Sequence, residues 1–200
     1  MPMRTTDAIL LAAGKSERMG QPKQLLDISG VPMIMHAIQT INACKKIRNL
    51  VVVIGHQAIR IQNLISRQRI IIVENTEWGQ GMGSSLRVGL RKALEAVPAA
   101  DDLLITVCDQ PLMSSQILEN LIENHQSGFI TASKYGEATG TPAIFDRKFL
   151  PELLTVPDQS GARRLFEKYP DRLQTIPFPG GAFDLDTWED YQNFISRKKE

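Results

Sequence analysis

The amino-acid sequence predicts a single α/β domain built as a three-layer sandwich around a mostly parallel sheet. Three observations lead there. Short apolar runs rich in β-branched residues alternate with segments of helical period along the whole chain, the order expected of strand-helix-strand units. The runs at 8–12 and 50–54 are continuously apolar instead of alternating, so their strands are read as covered on both faces. The 200 residues, 42% of them apolar, fit one domain able to bury roughly 70% of the surface its unfolded form exposes.

Taken in order, residues 7–12 form the first strand, and Gly14 ends it in a loop. Residues 24–30 read as a short extended piece and turn, and Pro32 suits the first turn of a helix over 32–43. A strand at 49–55 leads through Gly55-His56 into a helix marked by Ile59, Ile61, Leu64 and Ile65. A third strand covers 69–74, a polar glycine-rich loop 75–83, and an amphipathic helix 84–97. Residues 102–108 are the next buried strand, ending in Asp109-Gln110-Pro111, with Ser114 or Ser115 capping a helix that runs to about Gln126. Strands at 129–134 and 141–145 flank the turn Tyr135-Gly136-Glu137, helices follow at 147–154 and 161–169, and a strand at 173–177. The last helix, from 187 to about 197, has Asp186, Thr187, Glu189 and Asp190 at its start, which suits its dipole and unsatisfied amides. Phe178-Pro179-Gly180-Gly181 reads as a loop near the cleft. With no repeat, low-complexity segment or domain boundary evident, 1–200 is taken as one unit.

In such sheets ligands bind outside the carboxyl ends of the strands. The loop leaving the first strand is composed for an anion: Gly14 and Gly20 let backbone amides approach closely, while Lys15, Arg18 and Lys23 supply charge. A Walker loop is excluded because its first glycine falls on Ile9. The dinucleotide fingerprint is excluded because its second and third glycines fall on Ser16 and Met19.

Lys and Arg number 23 against 22 Asp and Glu, a formal charge of +1, so no broad footprint for nucleic acid or an acidic membrane is expected and any phosphate must be held locally. Cys44 and Cys108 have neither redox nor zinc spacing, no run approaches the ~20 apolar residues of a membrane helix, and a cytoplasmic location is expected. His36, His56 and His125 are scattered, Ser84 and Ser85 lie outside a nucleophile elbow, and Trp78, Trp188 and the tyrosines form no stacking array.

A triphosphate needs cationic donors and a divalent metal held by carboxylates. Asp109, at a strand's carboxyl end, suits the metal, or equally a turn before Pro111. Asp184 and Asp186 fall on one side of an extended segment and suit the same ion, whereas Asp186 or Thr187 also suits a helix cap. The segment 79–86, with Gly81, Ser84 and Ser85, either surrounds a base or sugar or connects and caps a helix.

The run Leu11-Ala12-Ala13-Gly14-Lys15-Ser16-Glu17-Arg18-Met19-Gly20-Gln21-Pro22-Lys23 resembles the L-x-A-G-x-S-x-R-M-G-x-x-K signature of molybdenum cofactor cytidylyltransferases. The likeness continues through Cys108-Asp109-Gln110-Pro111, Gly140-Thr141-Pro142, Asp158-Gln159-Ser160-Gly161-Ala162-Arg163 and Asp184-Leu185-Asp186-Thr187-Trp188-Glu189-Asp190. The resemblance implies a Rossmann-like sandwich of the nucleotide-diphospho-sugar transferase type, and transfer of CMP from CTP to the terminal phosphate of molybdopterin bearing molybdenum. It implies a nucleotide site at Leu11 to Ser16, Arg18 and Lys23, with Arg18 and Lys23 steadying the phosphates, beside the Gly81, Ser84 and Ser85 that the residues themselves offer to a base or sugar. It implies magnesium (Mg2+) at Asp109 and the Asp184/Asp186 segment, and an acceptor half at Gly140, Thr141, Pro142, Gly161 and Arg163. A molybdenum hydroxylase that receives the product is the implied partner. Related guanylyltransferases carry L-A-G-G where this chain has Leu11 to Gly14 and an Asp beside the lysine where it has Pro22, so Ala13 favours CTP; Trp188 replaces a common proline. Rival expectations are GTP as donor, a sugar or polyol phosphate as acceptor, or a non-catalytic chaperone for the cofactor.

Overall fold

In the computed structural model, which describes residues 4–95 and 99–197, the strand β1 (Thr6–Ala12) is buried along its whole length and organises the molecule. Its side chains alternate between two cores. Ala8, Leu10 and Ala12 enter one core with residues of α1 (Met33–Ala43), α2 (Ala58–Ile65), α4 (Ser115–Asn124) and α7 (Trp188–Arg197). Ile9 and Leu11, followed by Ala13, enter the other with α3 (Met82–Leu94), α5 (Leu150–Leu153) and α6 (Arg164–Lys168). Each fully buried Leu or Ile contributes about 1.5–3 kcal/mol relative to exposure, so the two cores clamp the sheet from both sides.

The remaining strands are β4 (Ile47–Ile54), β5 (Ile71–Glu74), β6 (Asp102–Val107), β7 (Ile130–Tyr135), β8 (Ala138–Asp146) and β9 (Leu173–Pro177), and the sheet order is β5-β4-β1-β6-β8-β7-β9. Only β8 runs against its neighbours; the other strands share one direction, so β1, β4, β5, β6, β7 and β9 deliver their carboxyl ends to one edge. This is the mostly parallel, single-domain α/β sandwich expected from the sequence.

Several boundaries differ from expectation for local reasons. Pro32 pairs with Asp27 in a small two-stranded sheet of β2 (Asp27–Ile28) and β3 (Val31–Pro32), so α1 starts at Met33. The start of α3 lies two residues before the expected Ser84, and its expected end at Val97 lies outside the described residues. Gly161, Ala162 and Arg163 form tight i to i+3 turns ahead of α6, which shortens the expected 161–169 helix. The strand β8 is longer than expected because its pairing resumes beyond an irregularity: Ala143 faces Ala132 and Gly140 faces Ser133, leaving Thr141 and Pro142 as extra residues. Proline has no amide to give the ladder, so a bulge is its natural place.

Candidate active site

The loop after β1 is shaped from beneath. Ser16 (φ 61°) and Gly20 (φ 67°) adopt the left-handed conformation on either side of a short 3-10 turn, Glu17–Met19. Buried Gln24 donates from Nε2 to the carbonyls of Ala12 (2.9 Å) and Gly14 (2.8 Å), and the Ser16 hydroxyl accepts from the Lys23 amide at 3.1 Å. Nothing lies within 4 Å of where a Cβ on Gly14 would stand, so its backbone is open to a ligand. Gln24→Leu leaves both carbonyls without their donor, costing about 1–3 kcal/mol. The expected result is a nucleotide KM raised about tenfold with a smaller change in kcat; steady-state kinetics that show no KM change would refute this bracing role.

The charged centre joins three strand ends. Lys23 Nζ lies 2.5 Å from Asp109 Oδ2, just beyond β6, and 3.1 Å from Asp186 Oδ1, in the segment after β9. Arg18 Nη2 takes the other oxygen of Asp186 at 2.8 Å. Burial alone lowers the Lys23 pKa, but attraction to Asp109 and hydrogen bonds to Asp109 and Asp186 outweigh it and hold the ammonium above its usual value. Asp184 is exposed as a residue, yet its carboxyl is packed closely enough that burial, ahead of repulsion from Asp109 and Asp186, raises it to about 6. Asp109 Oδ1 is buried and has no hydrogen-bond partner. Lys15 stands apart, half-exposed, with Glu17 at 3.4 Å.

Thr187 settles the role of its neighbour. Its hydroxyl accepts from the Asp190 amide at 3.1 Å while Asp190 Oδ2 accepts from the Thr187 amide at 2.8 Å, a reciprocal cap on α7. Asp186 is thereby released from capping and reaches the cations.

At the start of α3, the Ser84 and Ser85 hydroxyls are buried and accept from Asn75 Nδ2 at 2.8 and 2.9 Å, and Ser84 also lies 2.9 Å from the Gly81 carbonyl. These hydroxyls brace the loop from 75 to the start of α3. Gly81 and Gly83 seat the loop over 157–160, with the Gly83 amide donating to the Asp158 carbonyl at 2.8 Å. Tyr135, at the end of β7, covers Gly140, and burial, with the Asp184 carboxylate adding to it, raises its phenol above the usual range.

Residues 8–173 match the MobA-like NTP transferase domain. The chain belongs to that family. Nicotine blue oxidoreductase of Paenarthrobacter nicotinovorans is 29% identical over 194 residues, 90% of this chain and 92% of the relative. The bifunctional protein GlmU of Rubrobacter xylanophilus is 35% identical over 129 residues, 63% of this chain, which covers only 26% of that protein's length. Among solved structures, the nucleotidyl transferase Mth528 from Methanothermobacter thermautotroptrophicus superposes with a TM-score of 0.83 at 23% identity over 96% of this chain and 97% of its own. The manganese complex of Rv0371c from Mycobacterium tuberculosis does so at 0.78 and 21% identity, over 96% and 98% of the two chains. These structures share the fold.

In this MobA-like transferase the three acidic residues expected at the metal do not form one ligand group. Among the described residues no set of three or more His, Cys, Asp or Glu side chains is placed to hold a metal, because Lys23 stands between Asp109 and Asp186 and Asp184 is displaced towards Gln110. Ala13 is 4% exposed and its methyl packs in the core beside Gly55. Gln24, Asn75, Gln110 and Tyr135 escaped sequence reasoning because each acts by holding a neighbour. Only the position of Gln110 after Asp109 hinted at its place.

A cavity of about 1090 Å³ opens at the opposite, amino-terminal edge of the sheet, lined among others by Arg4, Arg48, Lys46 and His125. Arg4, Lys46 and Arg48, three of its five Lys and Arg residues, are spent on Asp102, Asp146, Glu123 and Asp7, which makes it a poorer candidate than the centre around Lys23. Among the described residues no helix is long and apolar enough to cross a membrane.

Proposed function

We propose that this transferase moves CMP from CTP to the terminal phosphate of molybdenum-bearing molybdopterin, releasing pyrophosphate. The observation that carries the reading is the grouping of Arg18, Lys23, Asp109 and Asp186 beside the open backbone of Gly14. The choice of CTP and of the pterin rests on the motif resemblance.

An oxygen of the acceptor phosphate forms a bond to the α-phosphorus of CTP as the bond to the pyrophosphate oxygen breaks. The nucleophile is already anionic, so no side chain has to remove a proton. Arg18 and Lys23 supply donors to the triphosphate, amides of the loop from Leu11 to Ser16 approach it, and Arg163 with Gly140, Thr141, Pro142, Gly161 and Tyr135 forms the acceptor side. Magnesium needs only one or two carboxylates, with water and phosphate oxygens completing its shell, and Asp109 offers a buried oxygen with no partner. Asp109 and Asp186 are the residues that would hold it; Asp184, raised to about 6, is the poorer ligand. Bound there, the ion would neutralise charge on the reacting phosphates. A molybdenum hydroxylase is the proposed recipient of the product.

The test is incubation of purified protein with magnesium, molybdenum cofactor and either CTP or GTP. Pyrophosphate release with CTP is expected; release with GTP alone overturns the donor, and release with a sugar or polyol phosphate but not with the pterin overturns the acceptor. Binding of the cofactor without any release would assign a chaperone. The name of the Paenarthrobacter relative supplies a second reading, an oxidoreductase, since the two chains match over nearly their full lengths. Against it, the loop after β1 lacks the glycines of a dinucleotide-binding turn. Consumption of NADH or NADPH with nicotine blue, and no pyrophosphate from either nucleotide, would select that reading.

A further inference from the structure

The charges of the candidate site are spent on one another. Lys23 Nζ sits between Asp109 Oδ2 at 2.5 Å and Asp186 Oδ1 at 3.1 Å, and Arg18 holds Asp186 Oδ2 at 2.8 Å. The Lys23 and Asp109 side chains are only 16% and 20% exposed, so water screens their pairing little. Asp109 retains one buried oxygen, Oδ1, with no partner. A divalent ion shared by Asp109 and Asp186 would have to stand where an ammonium already stands.

We infer that the Lys23 ammonium is a built-in occupant of the divalent-cation position, displaced only when a triphosphate draws Lys23 and Arg18 onto its own oxygens. The inference rests on the proposed reading of the site as one for nucleotide and metal, and is independent of which base or acceptor is used. Without a cation between them, Asp109 and Asp186 would face each other as like charges; Lys23 together with Arg18 balances the two carboxylates. With Lys23 there, a metal ion meets a positive charge at contact distance and gains only Asp109 Oδ1 as a free oxygen. A triphosphate reverses both conditions, because it offers Lys23 and Arg18 more negative charge than the carboxylates do and adds oxygens to the metal shell. The linkage is mutual, so metal and triphosphate each raise the affinity for the other by the same factor.

The experiment titrates manganese ion alone, without nucleotide, into wild type, Lys23→Met and Lys23→Arg, following free manganese by electron paramagnetic resonance and the fold by circular dichroism. Lys23→Met is expected to bind manganese at least about tenfold more tightly than wild type, a difference of about 1.4 kcal/mol, whereas Lys23→Arg is expected to show no gain. If Lys23→Met fails to fold, Lys23→Gln, which removes the charge and keeps a donor, makes the same comparison. A folded neutral variant that binds manganese no better than wild type, or an equal gain in Lys23→Arg, overturns the inference. Absence of turnover with CTP and GTP while this manganese pattern holds would instead retire the proposed function and leave the placeholder role standing.

Discussion

Asp109→Asn is expected to lower the rate of pyrophosphate release by about 10²–10³-fold, the scale seen when one pre-organised group that stabilises transition-state charge is removed. The substitution keeps the shape of the side chain and removes its charge. The backbone around it is fixed from two sides: the Cys108 amide donates to the Leu11 carbonyl at 3.1 Å, and the Asp109 carbonyl accepts from the Leu185 amide at 3.0 Å. The change is therefore confined to the carboxylate. Lys23 loses its nearer partner but keeps Asp186, and both side chains retain some solvent, so the stability cost stays below about 3 kcal/mol. Initial rates at saturating magnesium, measured alongside thermal melts, separate the two effects. Turnover within twofold of wild type would remove Asp109 from the chemistry; lost turnover with a collapsed melting curve would make it a structural residue.

The elements that bury a continuous apolar face were legible in the sequence. The runs that became β1, β4 and β6 have no alternative to a sheet covered on both sides, and the loop after β1 announced itself by its glycines and cations. The boundaries that moved lie where a long-range contact decides a local conformation. The amide missing from Pro142 signals a break in β8, but only the pairing of Gly140 with Ser133 shows that the strand resumes on the other side of it. The start of α6 was misplaced because glycine, alanine and arginine are all acceptable in a helix, and only the seating of the preceding loop holds them in turns. The site follows the same division. Cations and carboxylates were visible as residue types, but their mutual neutralisation was not, because the pairs span 86 and 163 positions of sequence. Ser84 and Ser85 were legible as hydroxyls near a helix start, yet their partner Asn75 decides which way they turn.

Gly83→Ala is expected to lower the melting temperature by about 5–15 °C and to weaken acceptor binding more than nucleotide binding. A Cβ on Gly83 would stand 2.1 Å from the Pro157 carbonyl oxygen and 2.7 Å from that of Ser160. Both obstacles are backbone, so no side-chain rotation relieves them, and the loop over 157–160 has to lift off α3. Lifting it breaks the bond from the Gly83 amide to the Asp158 carbonyl and pulls on Arg87, which holds the Val156 carbonyl at 2.5 Å and the Asp158 carboxylate. Overpacking and the lost hydrogen bond together cost about 2–4 kcal/mol. The displaced loop leads directly into Gly161 and Arg163, whereas the loop after β1 is braced separately by Gln24, which is why the acceptor KM should rise more than the nucleotide KM. Gly79→Ala is the control: nothing lies within 4 Å of its added carbon, and its stability should stay within about 0.5 kcal/mol of wild type. A Gly83→Ala protein that melts with wild type would mean that the 157–160 loop moves freely, and that Arg163 owes its position to something other than its seat on α3.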